Sequence, residues 1–147
     1  MRSSPLPLRV TIHSAFAALW LTGAAIFVLR HFLAVTTDFG VAPHPWQPAL
    51  LVLHGAIAVA VTFLFGWIVG EHVSETWRRG LERSSGLWIL LIISLLVITG
   101  FAAFFLVQDR LRSLNGTVHE WLGLLLIVPA AVHLVGARAQ RLLKGRQ

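Results

Sequence analysis

Apolar residues run in four long stretches along the chain, at positions 10–29, 48–70, 87–107 and 118–136. A helix needs about 20 mostly apolar residues to cross the hydrocarbon core of a bilayer, and each stretch is long enough to do so with some tilt. The first is too long for the apolar region of a cleaved leader and lacks a small-residue cleavage site, so it is expected to remain as a span. Between the stretches lie short polar connections at 36–47, 71–86 and 108–116. The first of these, with prolines around Trp46 (Pro43 and Pro45 within it, Pro48 just after it), reads as loop. None can hold a folded domain, and short connections make neighbouring helices antiparallel. The pattern therefore predicts one all-α domain over 1–147, a transmembrane up-down-up-down four-helix bundle with no strong internal repeat.

Composition sharpens this. Of the 147 residues, 56% are hydrophobic and only 12% charged, and the mean hydropathy is +0.77. A soluble domain carries about a quarter charged residues, and a chain this small cannot bury so much apolar surface in one aqueous core. A soluble enzyme, a disordered tail and a nucleic-acid module are all disfavoured. The net charge of +6 sits between the apolar runs, which favours a membrane surface as its partner. Lys and Arg set the orientation. Nine fall on one side (Arg2, Arg9, Arg78, Arg79, Arg83, Arg138, Arg141, Lys144, Arg146) and three on the other (Arg30, Arg110, Arg112). Both termini are expected to be cytoplasmic.

Histidine carries the candidate chemistry. There is no cysteine, so disulfides, thiolate metal sites, iron–sulfur clusters and covalent c-type haem are excluded. Only six acidic residues are present, against seven histidines. Ionisable groups within a bilayer are costly and are functional candidates by default. His13 lies near the cytoplasmic start of the first span and His133 near the cytoplasmic end of the fourth. His54 and His119 lie near the outer starts of the second and fourth. His119 and His133 are fourteen residues apart, a rise of about 21 Å and nearly four whole turns, so both rings leave one side of one helix. Two couples result, His13 with His133 and His54 with His119, and each offers two neutral imidazoles. Haem iron with two axial histidines fits such couples best. Zinc or di-iron sites want further ligands that these spans do not supply.

Other readings of these residues stay open. A membrane histidine can simply hydrogen-bond a neighbouring helix. His72 lies eighteen residues after His54, on the same helix face, and could replace His13, although His13 lies deeper. Arg9, Arg110 and Arg112 are candidate partners for haem propionates, an arginine fork being suited to a carboxylate; the same residues could only mark the membrane boundary. Gly23, Gly66, Gly70, Gly100, Gly123 and Gly136 could leave room for a flat porphyrin, but glycine is common at any membrane helix interface. Trp46 reads as an interfacial anchor, Trp20 as packing or lipid contact, and Trp121 as a wall beside His119.

These stretches resemble the prokaryotic cytochrome b-561 family of small four-helix di-haem membrane proteins. The resemblance rests on Leu8-Arg9-Val10-Thr11-Ile12-His13, Leu51-Val52-Leu53-His54-Gly55, Val118-His119-Glu120-Trp121 and Ala131-Val132-His133-Leu134. Cytochrome b subunits of formate dehydrogenases and nickel–iron hydrogenases are similar too. The resemblance implies that His13 and His133 hold a cytoplasmic-side haem, and His54 and His119 a periplasmic-side one. It implies a multi-pass protein of the bacterial inner membrane that passes electrons across the bilayer with quinone or quinol as a partner. Two alternatives remain. One is a membrane-anchor subunit of a larger oxidoreductase, docking a redox partner on 71–86 and the basic tail. The other is a cofactor-free scaffold or small transporter.

Overall fold

A computed structural model describes residues 6–73 and 83–144, with side chains described for 10–71 and 86–136. The chain divides into two units, Met1–Trp67 and Ile68–Gln147.

In the first unit, α1 covers Leu6–Phe32. Pro7 sits in its first turn, where a missing N–H leaves no helical bond unmade. Arg30 and His31 occupy its last turn, the arginine a cation at the negative end of the helix dipole. A small hairpin follows, a departure from the loop expected over 36–47 and from a wholly α fold. Strand β1 (Val35–Thr37) pairs antiparallel with β2 (Gly40–Ala42), Val35 opposite Ala42 and Thr37 opposite Gly40. Gly40 has φ of 110°, a backbone conformation that side chains disfavour, so glycine is what lets this turn close. Thr37 Oγ1 donates to the Gly40 carbonyl at 2.7 Å.

Helix α2 spans Gln47–Ile68 and runs into a single π-helical turn, Val69–Val73. Its start is held by His44, whose carbonyl accepts from the Gln47 N–H at 2.9 Å and whose Nδ1 accepts from the Trp46 N–H at 3.2 Å. Gly23 of α1 meets His54 of α2, while Val28 and Leu29 share a groove with Trp46 and Leu50. Moving up α2 thus moves down α1, so the pair is antiparallel. The groove is open, apolar and about 530 Å³ in volume.

In the second unit, α3 covers Arg83–Ala102, α4 Asp109–Leu125 and α5 Ile127–Lys144. The helix of the third apolar stretch stops at Ala102 rather than Val107. Beyond it Phe104 donates to the Phe101 carbonyl at 3.1 Å and Phe105 to Ala102 at 3.0 Å, a tightened turn of three-residue bonds. The apolar letters continue past the helix because hydrophobicity alone cannot mark its end.

Conversely, residues 109–117 were expected to be mostly connection, and they are helix. Asp109 complements the positive end of α4, Arg112 Nε donates to the Leu106 carbonyl at 3.0 Å, and Asn115 Nδ2 donates to the Thr99 carbonyl at 2.8 Å. These bonds fasten a polar turn that its sequence leaves unmarked. Only Leu126 separates α4 from α5, and helical bonds continue across it (Leu126 N–H to Leu122, Ala130 N–H to Leu126). Pro129 explains the break, since it has no N–H to give the Leu125 carbonyl.

On α3, positions 86, 96 and 100 lie opposite 133, 123 and 119. Each step along α3 is matched by an equal step back along α4 and α5, so the helices pack antiparallel and in register over fourteen residues.

Among the described residues three helical stretches are long and apolar enough to cross a membrane: Val10–Phe32, Gln47–Glu71 and Asp109–Gly136; the apolar part of α3, Gly86–Ala102, is shorter. Among the described residues only Ile26 and Val61 are buried hydrophobics, and large apolar side chains such as Val52, Phe63 and Val132 face outward. Water-soluble chains rarely expose continuous apolar surface on this scale, whereas a lipid environment suits it.

Candidate functional site

The two units repeat one arrangement. In the first, the dipeptide Thr22–Gly23 of α1 meets His54 of α2. His54 Nδ1 lies 2.9 Å from Thr22 Oγ1. A Cβ built on Gly23 would stand 3.1 Å from His54 Cε1, closer than carbon atoms ordinarily pack. In the second, Thr99–Gly100 of α3 meets His119 of α4. His119 Nδ1 lies 2.8 Å from Thr99 Oγ1, and a Cβ on Gly100 would stand 3.3 Å from His119 Cε1.

In both cases the threonine supplies a hydroxyl to one ring nitrogen and the next residue gives up its side chain so that the ring can lie against the helix. The two glycines make room for imidazoles, a nearer purpose than the room for a porphyrin that their presence suggested. Asn115, one turn before His119 on α4, reinforces the second arrangement through its bond to the Thr99 carbonyl.

His133 faces Gly86 at the opposite end of α3, with a hypothetical Cβ there 3.9 Å from His133 Cε1, an ordinary contact. Both histidines of α4 and α5 thus face α3, in agreement with their fourteen-residue spacing. His13 lies on α1 nine residues before Thr22 and is exposed. Each expected couple takes one histidine from each unit.

The remaining histidines, arginines and tryptophans divide. His44 caps the turn before α2, and His31 packs its ring on Phe27 at 4.5 Å between centroids. Arg110 and Arg112 are exposed, and Arg112 closes the turn after α3 through the Leu106 carbonyl. The side chains of Arg9, His72 and Arg138, the whole of Arg78 and Arg79, and most of the 71–86 connection lie outside the described residues. Trp46 is 69% exposed and lines the groove between α1 and α2, and Trp121 is 55% exposed.

Trp20 holds something its sequence does not announce: its indole Nε1 is buried without a hydrogen-bond partner among the described residues. A buried donor left unmet costs about 1–3 kcal/mol, and such atoms mark places where a bound group can complete the bonding.

By donor type alone, imidazoles without thiolates, and without clustered carboxylates among the described residues, are of the kind that could hold haem iron, and two of the rings are already held by a second hydrogen-bonding group, as ligating histidines generally are. Among the described residues no group of three or more His, Cys, Asp or Glu stands together. No protein-family model, curated protein or solved structure matches the chain.

The repeated Thr–Gly dipeptide was the signal available in the sequence. It stands at 22–23 and 99–100, in Leu21-Thr22-Gly23-Ala24 and Ile98-Thr99-Gly100-Phe101. Its partners lie 32 and 20 residues further on, so no fixed-period search aligns them.

Proposed function

We propose that this chain is a membrane-embedded b-type cytochrome that carries electrons across the bilayer through two bis-histidine haems, as its resemblance to prokaryotic cytochrome b-561 implies. The observation that carries the reading is the recurrence, in two separate units, of a span histidine held at Nδ1 by threonine and seated on glycine. His54 and His119 are the proposed ligands of one haem, and His13 and His133 of the other. Haem, when bound, supplies one-electron redox chemistry at iron. The chain's own part is to present the imidazoles, to fix their orientation and to keep them in an apolar surround. Burial, ligation and hydrogen bonding to the ligands are the means by which such a protein sets a haem potential. Arg110 and Arg112, at the end of the helix that carries His119, are the proposed propionate partners on the outer side, and Arg9 on the inner.

Quinone or quinol is the proposed small-molecule partner, lipid the surrounding phase, and the bacterial inner membrane the location. An anchor subunit of a larger oxidoreductase would use the same ligands and would co-purify with a stoichiometric partner. The histidine–threonine bonds also suit a cofactor-free scaffold, in which they would serve only to join helices. A dithionite-reduced minus oxidised visible spectrum of detergent-purified protein, with a pyridine haemochrome count, separates these readings. Two b-type haems per chain is the expected result. Colourless protein from cells with ample haem would overturn it in favour of the scaffold.

A further inference from the structure

We infer that Thr22 and Thr99 are positioning residues, whose hydroxyls hold the imidazoles of His54 and His119 in the Nδ1–H tautomer and so make Nε2 the ligating atom. Its functional meaning rests on the haem reading above; the tautomer itself does not.

A threonine hydroxyl has one proton and two lone pairs. Within an apolar helix the proton goes to a carbonyl one turn back. Thr22 Oγ1 donates to Ala18 at 2.9 Å, with Leu19 also at 2.9 Å. Thr99 Oγ1 donates to Leu95 at 2.7 Å, with Leu96 at 3.2 Å. The proton being committed to the backbone, the hydroxyl meets the imidazole with a lone pair. At 2.9 and 2.8 Å that requires a proton on Nδ1 in each ring.

A neutral imidazole protonated at Nδ1 carries its remaining lone pair on Nε2, and only that lone pair can bind a metal. Gly23 and Gly100 let the ring come close enough for this bond. Threonine by itself does not imply the arrangement: Thr62 and Thr117 donate in the same way to Ala58 at 2.8 Å and Ser113 at 3.0 Å. The Thr–Gly pair opposite a histidine is what the two units share.

The first test reads the ring nitrogens directly. The full chain, labelled with nitrogen-15 histidine and expressed under haem limitation, is examined in micelles by NMR. His54 and His119 are expected as Nδ1–H tautomers. Thr22→Val removes the hydroxyl at nearly constant volume and should shift His54 alone to the Nε2–H form or a mixture. Thr99→Val should do the same to His119 alone. Thr22→Ser and Thr99→Ser should restore the native signals, and Thr62→Val should change neither. A wild-type Nε2–H tautomer at either ring, or tautomers unmoved by the valine variants, would overturn the inference.

The second test uses protein with haem bound. Losing the Nδ1–H bond makes the ligand less basic, so each valine variant should shift one haem potential upward and the serine variant should return it. Equal potentials in valine, serine and wild-type proteins would overturn the positioning role, including where the haem-limited protein does not fold. Absence of haem with native tautomers would instead refute only the cytochrome reading.

Discussion

Replacing Gly23 by alanine should destabilise the protein, although alanine is the better helix former. The added methyl would lie 3.1 Å from His54 Cε1, whereas carbon atoms pack best at about 3.5–4.0 Å. The ring must therefore retreat by about 0.4 Å. Retreat away from α1 stretches the 2.9 Å contact with Thr22 to about the limit of useful hydrogen-bond length. Most of a bond worth about 1 kcal/mol is lost, and crowding a packed site adds about 1 kcal/mol or more. The backbone gain of alanine over glycine returns somewhat under 1 kcal/mol. The net cost is about 1–2 kcal/mol.

Three other glycines calibrate this figure. At Gly100 the methyl meets His119 at 3.3 Å, and the cost should be roughly half as large. At Gly86 the approach to His133 is 3.9 Å, and at Gly66 nothing lies within 4 Å among the described residues. Both should tolerate alanine or gain up to about 1 kcal/mol. Reversible unfolding of the four variants in micelles, followed by far-ultraviolet circular dichroism, measures the order directly. Equal stability for all four, or a greater loss at Gly86 than at Gly23, would refute the view that these glycines exist to admit imidazoles.

Three further outcomes are expected. Asn115→Leu should cost about 0.5–1 kcal/mol in the same unfolding assay, a small loss because the Thr99 carbonyl keeps its bond from the Ala103 N–H. Gly40→Ala should weaken the 35–42 hairpin by about 1–2 kcal/mol through its φ of 110°, read as faster amide exchange there with the helices unchanged. His54→Ala and His119→Ala should each remove the same single haem from the pyridine haemochrome count, while His13→Ala and His133→Ala remove the other; loss of different haems from His54→Ala and His119→Ala would break the proposed pairing.

The fold was legible wherever length and hydrophobicity decide structure. The apolar runs at 10–29 and 48–70 became α1 and α2 because a helix is the means by which an apolar segment of that length satisfies its own backbone. The readings failed where local bonds decide. Val35-Thr36-Thr37 and Gly40-Val41-Ala42 are β-branched or small residues flanking Asp38-Phe39, a turn pair without the Asn-Gly or Asp-Gly letters that mark a two-residue hairpin, and the nearby prolines favoured a loop. Residues 109–117 are polar enough to pass for a connection, yet a single bond from Asn115 to Thr99 ties them to α3 as helix. Phe104 to Val107 show the reverse, apolar letters lying beyond the end of a helix.

The site was half legible for a related reason. Histidines in apolar runs stand out by composition, and their fourteen-residue spacing puts His119 and His133 on one side; that this side is turned toward α3 was not legible. Their immediate partners did not stand out, because a threonine in a membrane helix is unremarkable until the register across the hairpin is known. Register turns Thr22–Gly23 and Thr99–Gly100 from common letters into one motif. Both elements of the motif are needed. Glycine without the hydroxyl would admit the ring in either tautomer, and the hydroxyl without glycine would hold it too far out to bond. Thr22→Val and Gly23→Ala remove these two functions separately, and because they act on one ring their effects on the His54 tautomer should not add. Once the hydroxyl is gone, the added methyl has no bond left to stretch. A double variant that shifts the ring nitrogens by the sum of the single effects would mean that threonine and glycine act independently, and the cradle would not be a unit.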